Sequence, residues 1–270
     1  MSLHVDVVGR GPPLVLLHGW AMHGGIFAPL VEALRGQRTL HVVDLPGHGH
    51  SRDCGVPLAL EACAHAVLDV VPDAPWCGWS LGGLVALHAA ATQPRRVPAL
   101  AMLCATPKFM LADDWPLGMP ALVFQGFADG LQRDWRAAID RFLALEAFGS
   151  EHMREELRML REALLAHGEP SPTVLADGLR MLQDSDLRKA LPGLRVPSLW
   201  LAGRRDRLVD PQAMRMAAQC APDARFVQVE HAGHAPFLTH ADAVARALMD
   251  DLAAWGCEAG ERRNDARGLA

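Results

Sequence analysis

Ser80, Asp206 and His234 have the residue types and the chain order of a nucleophilic relay. A serine hydroxyl is a poor nucleophile near neutral pH. It needs an imidazole within hydrogen-bond reach and a carboxylate that orients that imidazole. Ser80 lies in Gly78-Trp79-Ser80-Leu81-Gly82, a G-x-S-x-G pattern. In that pattern a strained turn between a strand and a helix lifts the serine oxygen out of a sheet. Glycine is required at both ends because the turn is too tight for a Cβ. The flanks agree: Ala74 to Cys77 reads as a short buried strand, and Leu81 to Gln93 as an Ala-rich helix stopped by Pro94.

The orienting acid and the base must stand on loops at the same sheet edge. Asp206 follows a strand ending at Ala202-Gly203. Its rival, Asp210, precedes Pro211 and reads as a helix N-cap. His234 lies in His231-Ala232-Gly233-His234-Ala235-Pro236-Phe237, just after a strand ending at Val229. Gly233 permits the tight loop that swings an imidazole over the serine, so His234 is preferred to His231. A tetrahedral intermediate also needs two backbone N–H donors. Leu81, at the start of a helix, and Trp20, in His18-Gly19-Trp20 after the strand Leu14 to Leu17, are the expected pair. His18 is expected to brace that loop rather than to act as a base.

The elements that must position these groups alternate. Strands are expected at Leu14 to Leu17, Thr39 to Asp44, Ala74 to Cys77, Ala99 to Cys104, Val196 to Ala202 and Phe226 to Val229. Helices are expected at Gly25 to Leu34, Leu58 to Val71, Leu81 to Gln93, Pro211 to Cys220 and Asp242 to Trp255. Alternation over this length implies an α/β protein with a mostly parallel sheet covered on both faces. Between about Thr106 and Arg188 the pattern turns helical, with Met153, Leu157, Leu160 and Leu164 on one stripe. The expected organisation is a core of residues 1–105 and 187–256, a helical lid of 106–186 entering after the sixth or seventh strand, and a disordered tail of 257–270.

Composition narrows the classes. The chain has 270 residues, 50% hydrophobic and 21% charged, with a formal net charge of −5. That balance offers no footprint for nucleic acid. No targeting segment and no membrane-length apolar run is read, so a cytoplasmic protein with reduced thiols is expected. The six cysteines form no C-x-x-C pair, which suggests neither zinc nor a redox couple. Cys77 and Cys104 read as small core residues. No cofactor or metal is expected, and a monomer is the default.

His18-Gly19-Trp20, Asp44-Leu45-Pro46-Gly47-His48-Gly49, Gly78-Trp79-Ser80-Leu81-Gly82-Gly83 and His231-Ala232-Gly233-His234-Ala235-Pro236-Phe237 resemble α/β-hydrolase superfamily signatures. More narrowly, Leu16 to Trp20, Gly78 to Ala86 and Arg141-Phe142-Leu143-Ala144-Leu145 resemble the pimeloyl-[acyl-carrier protein] methyl ester esterase family of biotin synthesis. The resemblance runs from about Val5 to Trp255. It implies a serine carboxylesterase acting on an acyl chain carried by acyl-carrier protein, with Trp20, Ser80, Leu81, Phe142 to Glu146 and His234 touching substrate. A carboxylate at Glu146 would repel an acidic product unless it points into solvent.

Acyl-carrier proteins are acidic and this chain is net negative, so docking requires a local basic patch. Arg154, Arg158 and Arg161 share a helix face at the rim of the apolar stripe, and Arg141 extends it. The same helix offers Glu151–Arg154, Glu155–Arg158 and Arg158–Glu162 pairs, the pattern of a solvated face. Phe109, Trp115, Phe127, Trp135, Phe142 and Phe148 are expected to form lid core, with one or two lining an acyl tunnel. General short-chain carboxylesterases, thioesterases and carbon–carbon bond hydrolases share the triad and fold. A non-catalytic ligand-binding protein of this fold is the alternative from another class.

Overall fold

A computed structural model describes residues 2–257; the expected disordered tail lies outside the described residues except for Cys257. In chain order the strands are β1 (Val5–Gly9), β2 (Pro13–Leu17), β3 (Thr39–Val43), β4 (Trp76–Trp79), β5 (Leu100–Leu103), β6 (Ser198–Gly203) and β7 (Ala224–Val229). They form one sheet in the order β1-β3-β2-β4-β5-β6-β7. Only β1 runs antiparallel, on β3; every other pairing is parallel. The central strands β4, β5 and β6 are buried along their whole length, which is why they read as unbroken apolar runs. Edge strand β1 has no fully buried residue and leaves Val7 exposed, so its apolar signal is weak in sequence.

The helices outside the insertion are α1 (Ala28–Leu34), α2 (Leu60–Leu68), α3 (Leu81–Thr92), α7 (Pro211–Cys220), α8 (Pro236–Thr239) and α9 (Ala241–Ala254). Helix α1 packs on α9, and α2 on α3. Pro211 at N1 and the Asp210 side chain, which accepts from Gln212 N at 2.7 Å, start α7 as a capped helix. The parallel register brings the C-terminal ends of the strands to one edge: Leu17 pairs with Gly78, Trp79 with Leu103, Leu103 with Leu201 and Gly203 with Val229. The loops after β2, β4, β6 and β7 therefore emerge side by side, where ligands of parallel α/β sheets bind.

Between β5 and β6 stand α4 (Ala121–Ala147), α5 (Met153–Ala166) and α6 (Pro172–Asp184). The insertion enters after the fifth strand, not the sixth or seventh, because a single strand precedes β2 in the described residues. Helix α4 is broken at Asp134, whose φ of −155° and ψ of 90° leave the helical region. The Asp134 carboxylate accepts from Ala137 N at 3.1 Å and restarts the helix as a cap. On α5, Leu160 and Leu164 are buried as the stripe predicts, but Met153 is exposed. Glu156 takes the inward place one turn on, because the Ser150 and Thr239 hydroxyls both donate to its carboxyl at 2.6 Å. Among the described residues no helix is long and apolar enough to cross a membrane.

Candidate active site

The turn after β4 holds Ser80 at φ 53° and ψ −118°. A non-glycine residue in such a conformation costs on the order of 1–3 kcal/mol and is kept only where its surroundings over-determine it. Here they do. A Cβ on Gly78 would lie 2.3 Å from Gly82 O, and one on Gly82 would lie 2.3 Å from Leu17 O. The two glycines thus let α3 start directly against β2 and β4, with Ser80 at its N-cap.

His234 Nε2 stands 2.9 Å from Ser80 Oγ, and His234 Nδ1 stands 2.8 Å from Asp206 Oδ2. With Nδ1–H donating to the carboxylate, Nε2 is the lone-pair nitrogen that faces the hydroxyl. Asp206 is itself fixed: its Oδ1 accepts from Leu208 N at 2.8 Å and Val209 N at 3.0 Å. The imidazole is fixed from both sides of its backbone. His234 N donates to Glu146 O at 3.3 Å, and Trp79 Nε1 donates to His234 O at 2.8 Å. All three side chains are buried, where a preformed relay acts without competing water. The rival His231 is exposed and faces Glu151 and Arg205, away from Ser80.

The loop after β2 lies against the serine: a Cβ on Gly19 would come 3.2 Å from Ser80 Cβ. His18 braces it, Nδ1–H donating to Gly19 O at 2.8 Å and Nε2 accepting from Leu45 N at 2.9 Å. Burial pushes His18 down to about 3, so it stays neutral and keeps the lone pair this brace needs. Trp20 closes the other end. Its Nε1 donates to Leu175 O of α6 at 2.9 Å, and its ring meets Phe142 of α4 edge-on at 4.6 Å. The strand–helix junction presents Leu81 N–H as the first amide of α3.

Above Ser80 the side chains of Phe109, Phe124, Phe127, Phe142, Leu179 and Leu208, among others, close around a narrow chamber of about 10 Å³. Apart from Ser80, its lining is entirely apolar. Three of the six aromatics singled out in the sequence, Phe109, Phe127 and Phe142, line it. Trp115 instead donates to Lys108 O, Trp135 lies under Arg136, and Phe148 is exposed. Phe124, Met119, Leu179, Leu182 and Leu208 were not singled out. The sequence signal for the inward faces is helical spacing, Phe124 three residues before Phe127 on α4 and Leu175, Leu179 and Leu182 on α6.

A family model described as alpha/beta hydrolase fold matches residues 12–241. The chain belongs to this family. A protein named pimeloyl-[acyl-carrier protein] methyl ester esterase from Stenotrophomonas maltophilia (strain K279a) is 56% identical over 252 residues, 93% of this chain and 97% of its own length. A protein of the same name from Xanthomonas campestris pv. campestris (strain B100) is 56% identical over 252 residues, 93% of this chain and 99% of its own. The hydrolase belongs to their family of carboxylic ester hydrolases. In fold it is similar to the esterase EaEST from Exiguobacterium antarcticum, with a TM-score of 0.84 at 22% identity, covering 93% of this chain and 95% of that one.

Two expectations for the hydrolase's insertion need correction. Glu146 does not point into solvent: it is buried, and neither carboxyl oxygen has a hydrogen-bond partner among the described residues. Burial first, then the nearby Asp206 and Glu156 carboxyls, pushes Glu146 well above the ordinary range. Burial therefore favours the neutral acid, which weakens the repulsion expected of a carboxylate. The arginines also divide. Arg158 pairs with Glu162 at 2.8 Å, as the spacing allows, whereas Arg161 reaches across to Asp140 of α4 at 2.7 Å. Arg141 and Arg154 are exposed and make no ion pair among the described residues. Glu151 goes to His231 instead of Arg154.

Proposed function

We propose that this chain is the serine carboxylesterase that hydrolyses pimeloyl-[acyl-carrier protein] methyl ester to pimeloyl-[acyl-carrier protein] and methanol, a step of biotin synthesis. The observation that carries the reading is a hydrogen-bonded Ser80–His234–Asp206 series at the floor of a purely apolar chamber. The name shared by relatives identical at 56% of positions supplies the substrate.

Ser80 Oγ attacks the ester carbonyl carbon while its proton passes to His234 Nε2. Asp206 holds the resulting imidazolium and its tautomer. The negative oxygen of the tetrahedral intermediate is received by the backbone N–H groups of Trp20 and Leu81. Collapse breaks the carbon–oxygen bond to the methoxy group, which takes the proton from His234 and leaves as methanol. Water, deprotonated by His234, then attacks the acyl-enzyme; collapse returns the proton to Ser80 and frees the carboxylic acid end.

The chamber accounts for the direction of the chemistry. A methyl-esterified chain end is neutral and apolar, so it enters a lining of phenylalanine and leucine at little cost. A carboxylate there would be stripped of water with no cation facing it, which costs several kcal/mol. Once these side chains part, the lining therefore favours substrate over product. Helices α4 to α6 act as the lid that shapes this chamber, with Phe142 and Glu146 in the segment beside the substrate. Arg141 and Arg154, with Arg158 and Arg161 at their flanks, form the basic rim that receives the acidic carrier protein.

The test is incubation with pimeloyl-acyl-carrier-protein methyl ester, followed by mass spectrometry of the intact carrier protein. Loss of the methyl group alone, absent in Ser80→Ala, supports the reading. Release of the whole acyl chain would instead make the protein a thioesterase. Hydrolysis only of short aryl esters would make it a general esterase, and binding without turnover would remove catalysis altogether.

A further inference from the structure

We propose a second site on this molecule: a divalent transition-metal site formed by His4, just before β1, Asp44, just after β3, and His50 in the loop that follows. One donor atom from each of the three lies within 4.8 Å of the others. His50 Nδ1 faces Asp44 Oδ2 at 3.4 Å without forming a hydrogen bond. Two atoms bound to one zinc ion at ~2.0–2.2 Å in tetrahedral geometry are separated by ~3.3–3.6 Å. The two rings stand side by side, with centroids 4.5 Å apart.

The group is held in place before any ion arrives. Asp44 N donates to His4 O at 3.1 Å, and His4 N donates to Ser51 Oγ at 2.8 Å. The Asp44 carboxylate is buried and oriented by Gly24 N on Oδ1 at 2.7 Å and His50 N on Oδ2 at 2.8 Å. These bonds play the outer-shell role that fixes ligating carboxylates elsewhere. Asp6 Oδ1, 3.2 Å from His4 Nε2, adds a second carboxylate at the rim. Both histidines are partly exposed, so an entry path exists. Two imidazoles and one carboxylate, with a fourth position open to water, suit zinc, nickel or copper. They suit magnesium and calcium poorly, since those ions prefer all-oxygen shells.

The site also has a neighbour that gives it a purpose. The His167 ring, just beyond the end of α5, stands 4.5 Å from His50 and 4.3 Å from His23. His23 Nε2–H in turn donates to Ala163 O of α5 at 2.7 Å. An ion on His4, Asp44 and His50 would lock the loop on which the end of α5 rests. The predicted effect is a stiffer seat for the insertion, with the ester chemistry unchanged.

The experiment titrates zinc chloride into the metal-stripped full chain by calorimetry, with magnesium chloride as the contrast, and follows Tm in parallel. One equivalent of zinc, a rise in Tm, and silence with magnesium are expected. His50→Ala and His4→Ala should each weaken zinc at least tenfold and abolish the rise in Tm, while His65→Ala, an exposed histidine elsewhere, changes neither. Circular dichroism checks that each variant is folded. Among the described residues, Cys104, Asp206 and His234 are the other group close enough to hold an ion, and turnover of a small ester separates the two. Zinc uptake that survives His50→Ala and stops ester hydrolysis would overturn the proposal, as would no uptake at micromolar zinc.

Discussion

At the scale of single residues, the proposed chemistry rests on Ser80, and Glu146 carries an electrostatic liability. Ser80→Ala should lower kcat by on the order of 10⁶, the loss seen when the analogous serine of a protease is removed. Steady-state turnover of the methyl ester checks this, and near wild-type rates in a clean preparation would end the triad reading. Asp206→Asn should cost about 10⁴ in kcat with the fold intact, because an amide there favours the wrong imidazole tautomer. Glu146 is buried without a hydrogen-bond partner among the described residues, and burial raises its pKa in the folded chain. Above the ordinary glutamate value of 4.5 the unfolded chain releases this proton while the folded chain keeps it, so stability falls as pH rises. Glu146→Gln removes that loss. Its Tm should exceed the wild type by at least ~2 °C at pH 8, and the two should converge near pH 4. A constant difference across that range would show that the carboxyl is not the cause. The meeting of Ser80 with His234 and the Asp210 cap were legible because each residue sits in a local pattern of glycine, proline or chain order. Glu146 was not: a glutamate reads as surface unless one knows that α4, α5 and the His234 loop converge on it.

At the scale of elements, the proposed docking role falls on the insertion. Arg141 on α4 and Arg154 on α5 are the two of the four basic-rim arginines without an ion-pair partner among the described residues, so their charge is available to an acidic surface. Reversing both to glutamate should raise KM for a carrier-protein substrate at least tenfold at low salt and leave kcat/KM for a small aryl ester unchanged. Equal effects on both substrates would remove the docking role. Neutralising Arg158 or Arg161 should matter less, since Glu162 and Asp140 already oppose them. The alternating strands and helices were legible from their apolar runs, β1 being the exception because an edge strand with one wet face carries little apolar signal. The chamber was legible only in part. Phe142 stood out in sequence, but Phe124 and Leu179 face Ser80 only because α4 and α6 cross above it, and no local spacing encodes that crossing.

For the whole molecule, buried histidines set the acid limit. Burial brings His18 down to about 3 and His48 to about 4, from the ordinary 6.5. Below about 6.5 the unfolded chain takes up protons that the folded chain refuses, so stability should fall steadily as the pH drops toward 4. In Glu146→Gln, which lacks the opposing Glu146 effect, urea midpoints measured from pH 7.5 to pH 5 should decline. A flat profile would mean that these rings are not neutral inside the fold. With the Glu146 effect acting in the alkaline direction, stability should peak between the two. One further consequence concerns modularity. The catalytic imidazole's own backbone is held on one side by Glu146 O, at the end of α4, and on the other by the core's Trp79. The loop carrying Trp20 is likewise tied to α6 through Leu175 O. An engineer who transplants this helical insertion onto a related scaffold, or trims it to widen the entrance, therefore edits the base's support as well as the specificity filter, and should move Trp20, Trp79 and the His234 loop with it as a single cassette.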